Sequence, residues 1–300
     1  MLDNKIITDH SGKIPLKYRL LSNILRGASK IPNRYRKGIG HILGWLLWQL
    51  PLKMNRIAAI NIQHCHQGVP QCYVDTLIKQ NALLVGQAFL YTAVAWYGTR
   101  QQIVDHLTHK ILGLDQIKKC QQSGKGVLLL AMHSLFLELD GRILAEYLDL
   151  CAVERQHRNR VSLLKSGRHQ YLKDSADRNH PRTFIRWLQQ GKTVLYLPDQ
   201  DYGLNGAIKV SFFNQTVAML KATVRIAKIG HAKVFIGDSY WTKSQKRVLS
   251  IEPFNHDIDD EDGFLHNLSK VIEKKIKEHP EEYMWQHKRF KSIMPKEFYS

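Results

Sequence analysis

Gly124-Lys125-Gly126-Val127-Leu128-Leu129-Leu130-Ala131-Met132-His133-Ser134-Leu135-Phe136-Leu137-Glu138 is the stretch that decides the fold of this chain. The run 127–132 is short and apolar and follows a glycine-rich turn, so it reads as a buried strand. From Leu135 to Leu150 apolar residues recur at helical spacing, interrupted by Glu138, Asp140, Arg142 and Glu146, which predicts a helix. His133 therefore stands where a strand gives way to a helix, the end of a sheet at which α/β proteins bind ligands. On one continuous helix, five positions are about 500° apart, which would separate His133 from Glu138. The two can meet only if His133 lies in the loop and Glu138 in the first turns of the helix. A carboxylate on one imidazole nitrogen would fix the tautomer and leave the other nitrogen free as a base. His133 and Glu138 are thus the candidate catalytic pair. The plainer alternative is a polar surface or cap pair.

Working outward, residues 15–60 read as one or two helices, and 71–98 as another that breaks at Gly98. Phe184–Leu188 looks like a short helix ending at Gly191. Thr193-Val194-Leu195-Tyr196-Leu197 is a second buried strand, running into the polar loop Pro198-Asp199-Gln200-Asp201-Tyr202-Gly203. Residues 217–229 read as a helix, 232–241 and 247–252 as strands, and 263–278 as a charged amphipathic helix. Strands alternating with helices predict an α/β fold: a mixed, largely parallel sheet flanked by helices. The organisation expected is an N-terminal helical segment, 1–60, and one domain, 61–300.

The 300 residues carry a formal charge of +18, and the excess is concentrated. Residues 1–60 hold eleven Lys/Arg against Asp3 and Asp9, and residues 155–192 hold ten against Asp174 and Asp177. Such concentration implies an anionic partner: nucleic acid, an acidic membrane surface, or a phosphorylated or acidic substrate. A solvated basic face is the bland alternative. The four cysteines are too few and too scattered for a disulfide framework, and His64-Cys65-His66 with Cys72 lacks regular zinc spacing.

Residues 1–15 are polar and are not a secretory signal. The first strongly apolar run, Ile39 to Leu52, would be about 21 Å long as a helix, short of a hydrocarbon core of roughly 30 Å. Arg34, Arg36, Lys37, Lys53 and Arg56 flank it, and it carries Trp45 and Trp48. It reads as a helix embedded in one leaflet or a marginal single span, with a buried core helix as the alternative.

Several stretches together resemble the late acyltransferases of lipid A biosynthesis, over most of the chain. His133 and Glu138 match the His-x-x-x-x-Glu signature. Asp177-Arg178, Gln190-Gly191 and Leu197–Gly203 resemble the second block. Phe212-Phe213 through Ala218, Thr223, Arg225 and Ala227 fit the next. Pro280-Glu281-Glu282-Tyr283-Met284-Trp285-Gln286-His287-Lys288-Arg289-Phe290-Lys291 is similar to the C-terminal signature, and Asn61 also fits. Gln200 departs from a commoner His, and Glu154-Arg155-Gln156 from a commoner Tyr-Arg-Pro.

The resemblance implies a glycerolipid-acyltransferase-like fold with an N-terminal membrane-associated helix. It implies acyl transfer from acyl carrier protein to a hydroxyl of a Kdo-lipid A precursor at the cytoplasmic face of an anionic inner membrane, without metal or cofactor. The second-acting, myristoyl-type member is the reading taken. His133 would be the base, with Glu138 orienting it, and backbone N–H groups near Ser134–Phe136 would hold the oxyanion. Arg155, Arg178 and Arg289 are candidate phosphate contacts, since guanidinium binds phosphate through two parallel bonds. Asp199 and Asp201 are further candidate substrate-site residues; bracing a loop beside the site is favoured over metal ligation. Two competing readings are a glycerolipid acyltransferase, which usually has Asp at the fifth position, and a basic nucleic-acid-binding protein. The Trp-bearing apolar stretch argues against the latter, so no nucleic-acid partner is expected.

Overall fold

The strand at the centre of the chain is buried on both faces, and the rest of the fold is what covers it. The computed structural model describes residues 16–154 and 167–300. Four helices come first: α1 (Leu16–Ser29), α2 (Asn33–Gln49), α3 (Lys53–Cys65) and the long α4 (Gln71–Tyr97). A short α5 (Arg100–Val104), strand β1 (His109–Leu112) and α6 (Leu114–Gln122) lead into β2 (Val127–Ala131). Then come α7 (Leu137–Ala145), β3 (Leu150–Glu154), β4 (Asp174–Asp177), α8 (Pro181–Gln189) and β5 (Thr193–Tyr196). The chain continues through β6 (Ala207–Phe212), β7 (Gln215–Leu220), α9 (Ala222–Ile229), β8 (Lys233–Trp241), β9 (Arg247–Pro253) and α10 (Glu261–Glu278).

Seven strands form one sheet in the order β1-β9-β8-β2-β5-β3-β4, parallel throughout except for the β8–β9 pair. This is the mixed, largely parallel sheet the alternation predicts. Leu128 and Leu130 face one core and Val127 and Leu129 the other, which explains an uninterrupted apolar run in place of a two-residue alternation. β2 and β5 pair with Leu130 opposite Tyr196. Three residues further on, His133 is therefore level with Asp199 at the carboxyl edge of the sheet.

Three expectations are corrected. The helix after His133 ends at Ala145, and Leu150 already belongs to β3. Residues 217–220 are strand, not helix: β6 and β7 make a separate two-stranded hairpin around Phe213-Asn214, both at positive φ (51° and 58°). That is the pattern of a two-residue hairpin turn matched to strand twist. The edge strands β1 and β4 had no expected counterpart.

The N-terminal helices are built onto the rest of the fold by close backbone contact. Gly40 and Gly44 of α2 meet Gly86 of α4; a Cβ on Gly86 would lie 2.1 Å from the Gly44 nitrogen and 2.2 Å from the Gly40 oxygen. Only glycine allows that crossing. The opposite faces of α1 and α2 are apolar and exposed: Leu16, Leu20 and Ile24 on α1, and Tyr35, Ile39, Ile42, Trp45 and Leu46 on α2. α2 stops at Gln49 ahead of Pro51, so the run 39–52 is not one continuous helix. Among the described residues, no helix is long and apolar enough to cross a membrane.

Candidate active site

His133 leaves the carboxyl end of β2 in a loop, as its position in the sequence predicts. The carboxylate that meets it comes from β5's neighbouring loop. The His133 Nδ1–H donates to Asp199 Oδ1 at 2.7 Å, and the His133 backbone N–H donates to Asp199 Oδ2 at 2.9 Å. Asp199 is almost wholly buried. Burial alone would raise its pKa, but the His133 charge and the two hydrogen bonds hold it below the usual carboxylate value. An ionised acceptor on Nδ1 fixes the tautomer with Nε2 unprotonated, which is the arrangement of a general base.

Glu138 does not occupy that role. It sits in the first turn of α7 and turns away toward the end of α4, where Trp96 Nε1 donates to it at 2.7 Å and the Tyr171 hydroxyl at 3.2 Å. Arg168 binds it through Nε, at 3.0 and 3.1 Å, and through Nη2, while Arg168 Nη1 reaches Glu154 at 2.9 Å. Burial raises the Glu138 pKa, and the Arg168 charge and these bonds overcome it, so the carboxyl titrates below its ordinary value. Glu138 is an anion whose partners are Arg168, Trp96 and Tyr171. The hydrogen bond to His133 expected of it is made by Asp199, because the parallel register of β2 and β5 brings positions 133 and 199 level.

The loop itself is clamped from the C-terminal segment. Met284 N–H donates to the His133 carbonyl at 2.9 Å and Leu135 N–H to the Glu282 carbonyl at 2.8 Å. Two buried asparagines hold that segment in turn. Asn61 of α3 donates to the carbonyls of Trp285 and His287, at 2.6 and 2.7 Å, and Asn81 of α4 to those of Glu281 and Tyr283, at 2.8 and 2.9 Å. Fully buried Arg247 ties Asp140 of α7, Glu282 and the Ser134 hydroxyl together. Of the backbone donors expected to form an oxyanion hole, two are occupied: Leu135 N–H as above, and Phe136 N–H, which goes to Ser134 Oγ at 2.9 Å; the next, Leu137 N–H, goes to the Ser134 carbonyl at 3.2 Å.

The remaining candidates separate clearly. Asp201 accepts Ser292 N–H and Oγ–H and Gly203 N–H, at 2.8, 2.6 and 2.9 Å, and so braces two loops against each other. Arg178 lies over the Tyr202 ring at 4.5 Å, and its Nη1 is buried without a hydrogen-bond partner among the described residues. Arg289 is only 3% exposed and donates to the Ala218 carbonyl at 2.9 Å, and its Nε is buried without a hydrogen-bond partner among the described residues. Arg155 lies outside the described residues. His64 and His66 pack edge-on against Phe290 and Trp285, and among the described residues no three His, Cys, Asp or Glu side chains converge as a metal set.

The family model described as bacterial lipid A biosynthesis acyltransferase matches residues 14–292. A lipid A biosynthesis acyltransferase of Haemophilus influenzae is 29% identical over 90% of this chain and 88% of its own length. The lipid A biosynthesis palmitoleoyltransferase of Escherichia coli is 28% identical over 79% of this chain and 78% of its own, and the lauroyltransferase of that organism 27% identical over 87% and 86%.

Proposed function

The chain belongs to the bacterial lipid A biosynthesis acyltransferases, and we propose that it moves a fatty acyl chain from the thioester of acyl carrier protein directly onto a hydroxyl of a Kdo-bearing lipid A precursor. The observation that carries the mechanism is the free Nε2 of His133, set by the Asp199 bond on Nδ1. In this reading Nε2 takes the hydroxyl proton as oxygen attacks the thioester carbonyl, and returns it to the departing thiolate. Asp199 orients the ring and stabilises the imidazolium. The Glu138–Arg168 pair holds the floor of the loop.

Direct transfer is supported by the state of Ser134, next to His133 in the chain, and of the buried Cys65. The Ser134 hydroxyl accepts Phe136 N–H and an Arg247 N–H. The buried Cys65 thiol is pushed far above its ordinary pKa by burial. Neither is available for an acyl-enzyme. The unpaired Arg178 Nη1 suits an acceptor phosphate or sugar acid. Mass spectrometry of lipid A from cells with and without the protein is the test. One acyl chain fewer in its absence supports the proposal, and unchanged lipid A refutes it.

The exposed apolar rows of α1 and α2, with Arg34 and Lys37 beside them, suit a helical surface resting in one leaflet at the cytoplasmic face of the inner membrane. Replacing Ile39, Ile42, Trp45 and Leu46 together by Ser leaves the Gly40–Gly44 crossing untouched. That variant is expected to fold, to lose most of its sedimentation with anionic vesicles, and to keep activity on detergent-dispersed acceptor. Full retention on vesicles at high salt would place the contact elsewhere.

A further inference from the structure

Acyl transfer needs a hydrogen-bond donor for the carbonyl oxygen as it takes charge, and four of the backbone donors in the loop around His133 are occupied. The N–H groups of His133, Leu135, Phe136 and Leu137 all have partners within the fold. His287 offers what they lack. Its Nε2 is buried and has no hydrogen-bond partner among the described residues. A buried polar atom left in that state calls for an explanation.

The residue is firmly held. Its carbonyl accepts from Asn61 Nδ2 at 2.7 Å and from Arg289 N–H at 2.8 Å, and the next carbonyl but one, that of Trp285, accepts from the same Asn61 amide at 2.6 Å. The segment that carries it is joined to the His133 loop by the Met284 N–H bond to the His133 carbonyl at 2.9 Å, and the charges of His133 and Asp199 act on the ring. Burial, and then the positive charge on His133, push its pKa down to about 4. At neutral pH the imidazole is therefore uncharged. It neither competes with His133 for the hydroxyl proton nor repels the imidazolium that forms there. A neutral imidazole keeps one N–H, and a neutral histidine can polarise a carbonyl.

Resting on the acyl-transfer reading above, we propose that His287 donates a hydrogen bond from Nε2 to the thioester carbonyl oxygen as it becomes an oxyanion. The acceptor hydroxyl oxygen bonds to the carbonyl carbon while its proton passes to His133 Nε2. The C=O π pair moves onto oxygen, where the His287 N–H meets it. Collapse restores the C=O bond, breaks the C–S bond, and the leaving thiolate takes the proton back from His133. The products are an ester and a thiol.

The test uses the full-length enzyme with lauroyl-loaded acyl carrier protein and a Kdo-bearing lipid A precursor. His287→Ala is expected to lower kcat about 10²–10³-fold, the usual effect of removing one oxyanion donor, with both KM values within about twofold of wild type. His287→Gln, which can present an amide N–H, should recover part of that loss. If the Ala variant fails to fold, His287→Phe fills the same space without a donor and is read in the same way. A donor-free variant with kcat within about threefold of wild type overturns the proposal, as does a loss confined to KM. Wild-type enzyme that transfers nothing sinks the acyl-transfer reading and this inference with it. Active wild type with an equally active His287→Ala sinks the inference alone.

Discussion

Asp199→Asn is expected to lower turnover about 10⁴-fold, the scale on which an orienting carboxylate acts when its loss leaves the wrong histidine tautomer. The geometry says why an isosteric change should be so damaging. Asp199 accepts two N–H donors from one residue, the His133 backbone and its Nδ1. Asparagine has a single acceptor oxygen. If the backbone N–H keeps that oxygen, the amide NH₂ faces Nδ1, which must then be unprotonated. The proton moves to Nε2, and the base is lost. Shape and one hydrogen bond are preserved, so the melting temperature should change by no more than a few degrees. His133→Ala should be comparably inactive, and the double variant little worse than either, because the two residues act as a unit. An Asp199→Asn enzyme with a tenth or more of wild-type kcat would remove Asp199 from the mechanism.

How much of this was legible before the structure depends on where each signal resides. β2 and β5 could be read because both faces are buried, which leaves a continuous apolar run between turn residues. β4 could not: Asp174-Ser175-Ala176-Asp177 has no strand pattern of its own and is held by pairing with Cys151–Glu154. The hairpin 207–220 was hidden for a related reason. Val217, Ala218 and Met219 are consecutively buried, and an apolar run of that length is ambiguous between strand and helix. His133 was found from its place at a strand end. Its hydrogen-bond partner was not, because local spacing points only to Glu138, while Asp199 reads as a substrate-site residue bracing its loop. What decides between them is the pairing of Leu130 with Tyr196, a contact across 66 residues that local spacing cannot encode. Arg168 was equally out of reach, since nothing local to it signals a bond to Glu138. His287 stood within the C-terminal stretch already singled out, but its unmade hydrogen bond is a property of packing alone.

Removing either member of the Glu138–Arg168 pair is expected to destabilise the protein by about 3 kcal/mol, the low end for breaking a buried pair, because Arg168 keeps 23% of its side chain exposed. Arg168→Ala leaves the Glu138 charge facing only the Trp96 and Tyr171 donors. Glu138→Ala leaves those donors without an acceptor and Arg168 with Glu154 alone. The double variant should be less damaged than the sum, since the Glu138–Arg168 contact is lost only once and no buried Glu138 charge is left behind. His133→Ala combined with Glu138→Ala should be additive in stability, because no hydrogen bond joins them.

The pH dependence has a definite sign. Glu138 titrates below its ordinary value in the fold, so its contribution is present above the unfolded carboxylate pKa of about 4.3 and is lost as pH falls through the lower folded value. Glu138→Gln should therefore lower the melting temperature at pH 7 and narrow the gap to wild type below about pH 4. A Glu138 that instead acted on His133 would behave differently. Its removal would shift the pH–rate profile of kcat/KM and leave melting nearly unchanged. Melting and pH–rate curves of Glu138→Gln and Asp199→Asn, measured side by side, distinguish a carboxylate that supports the loop from one that orients the base.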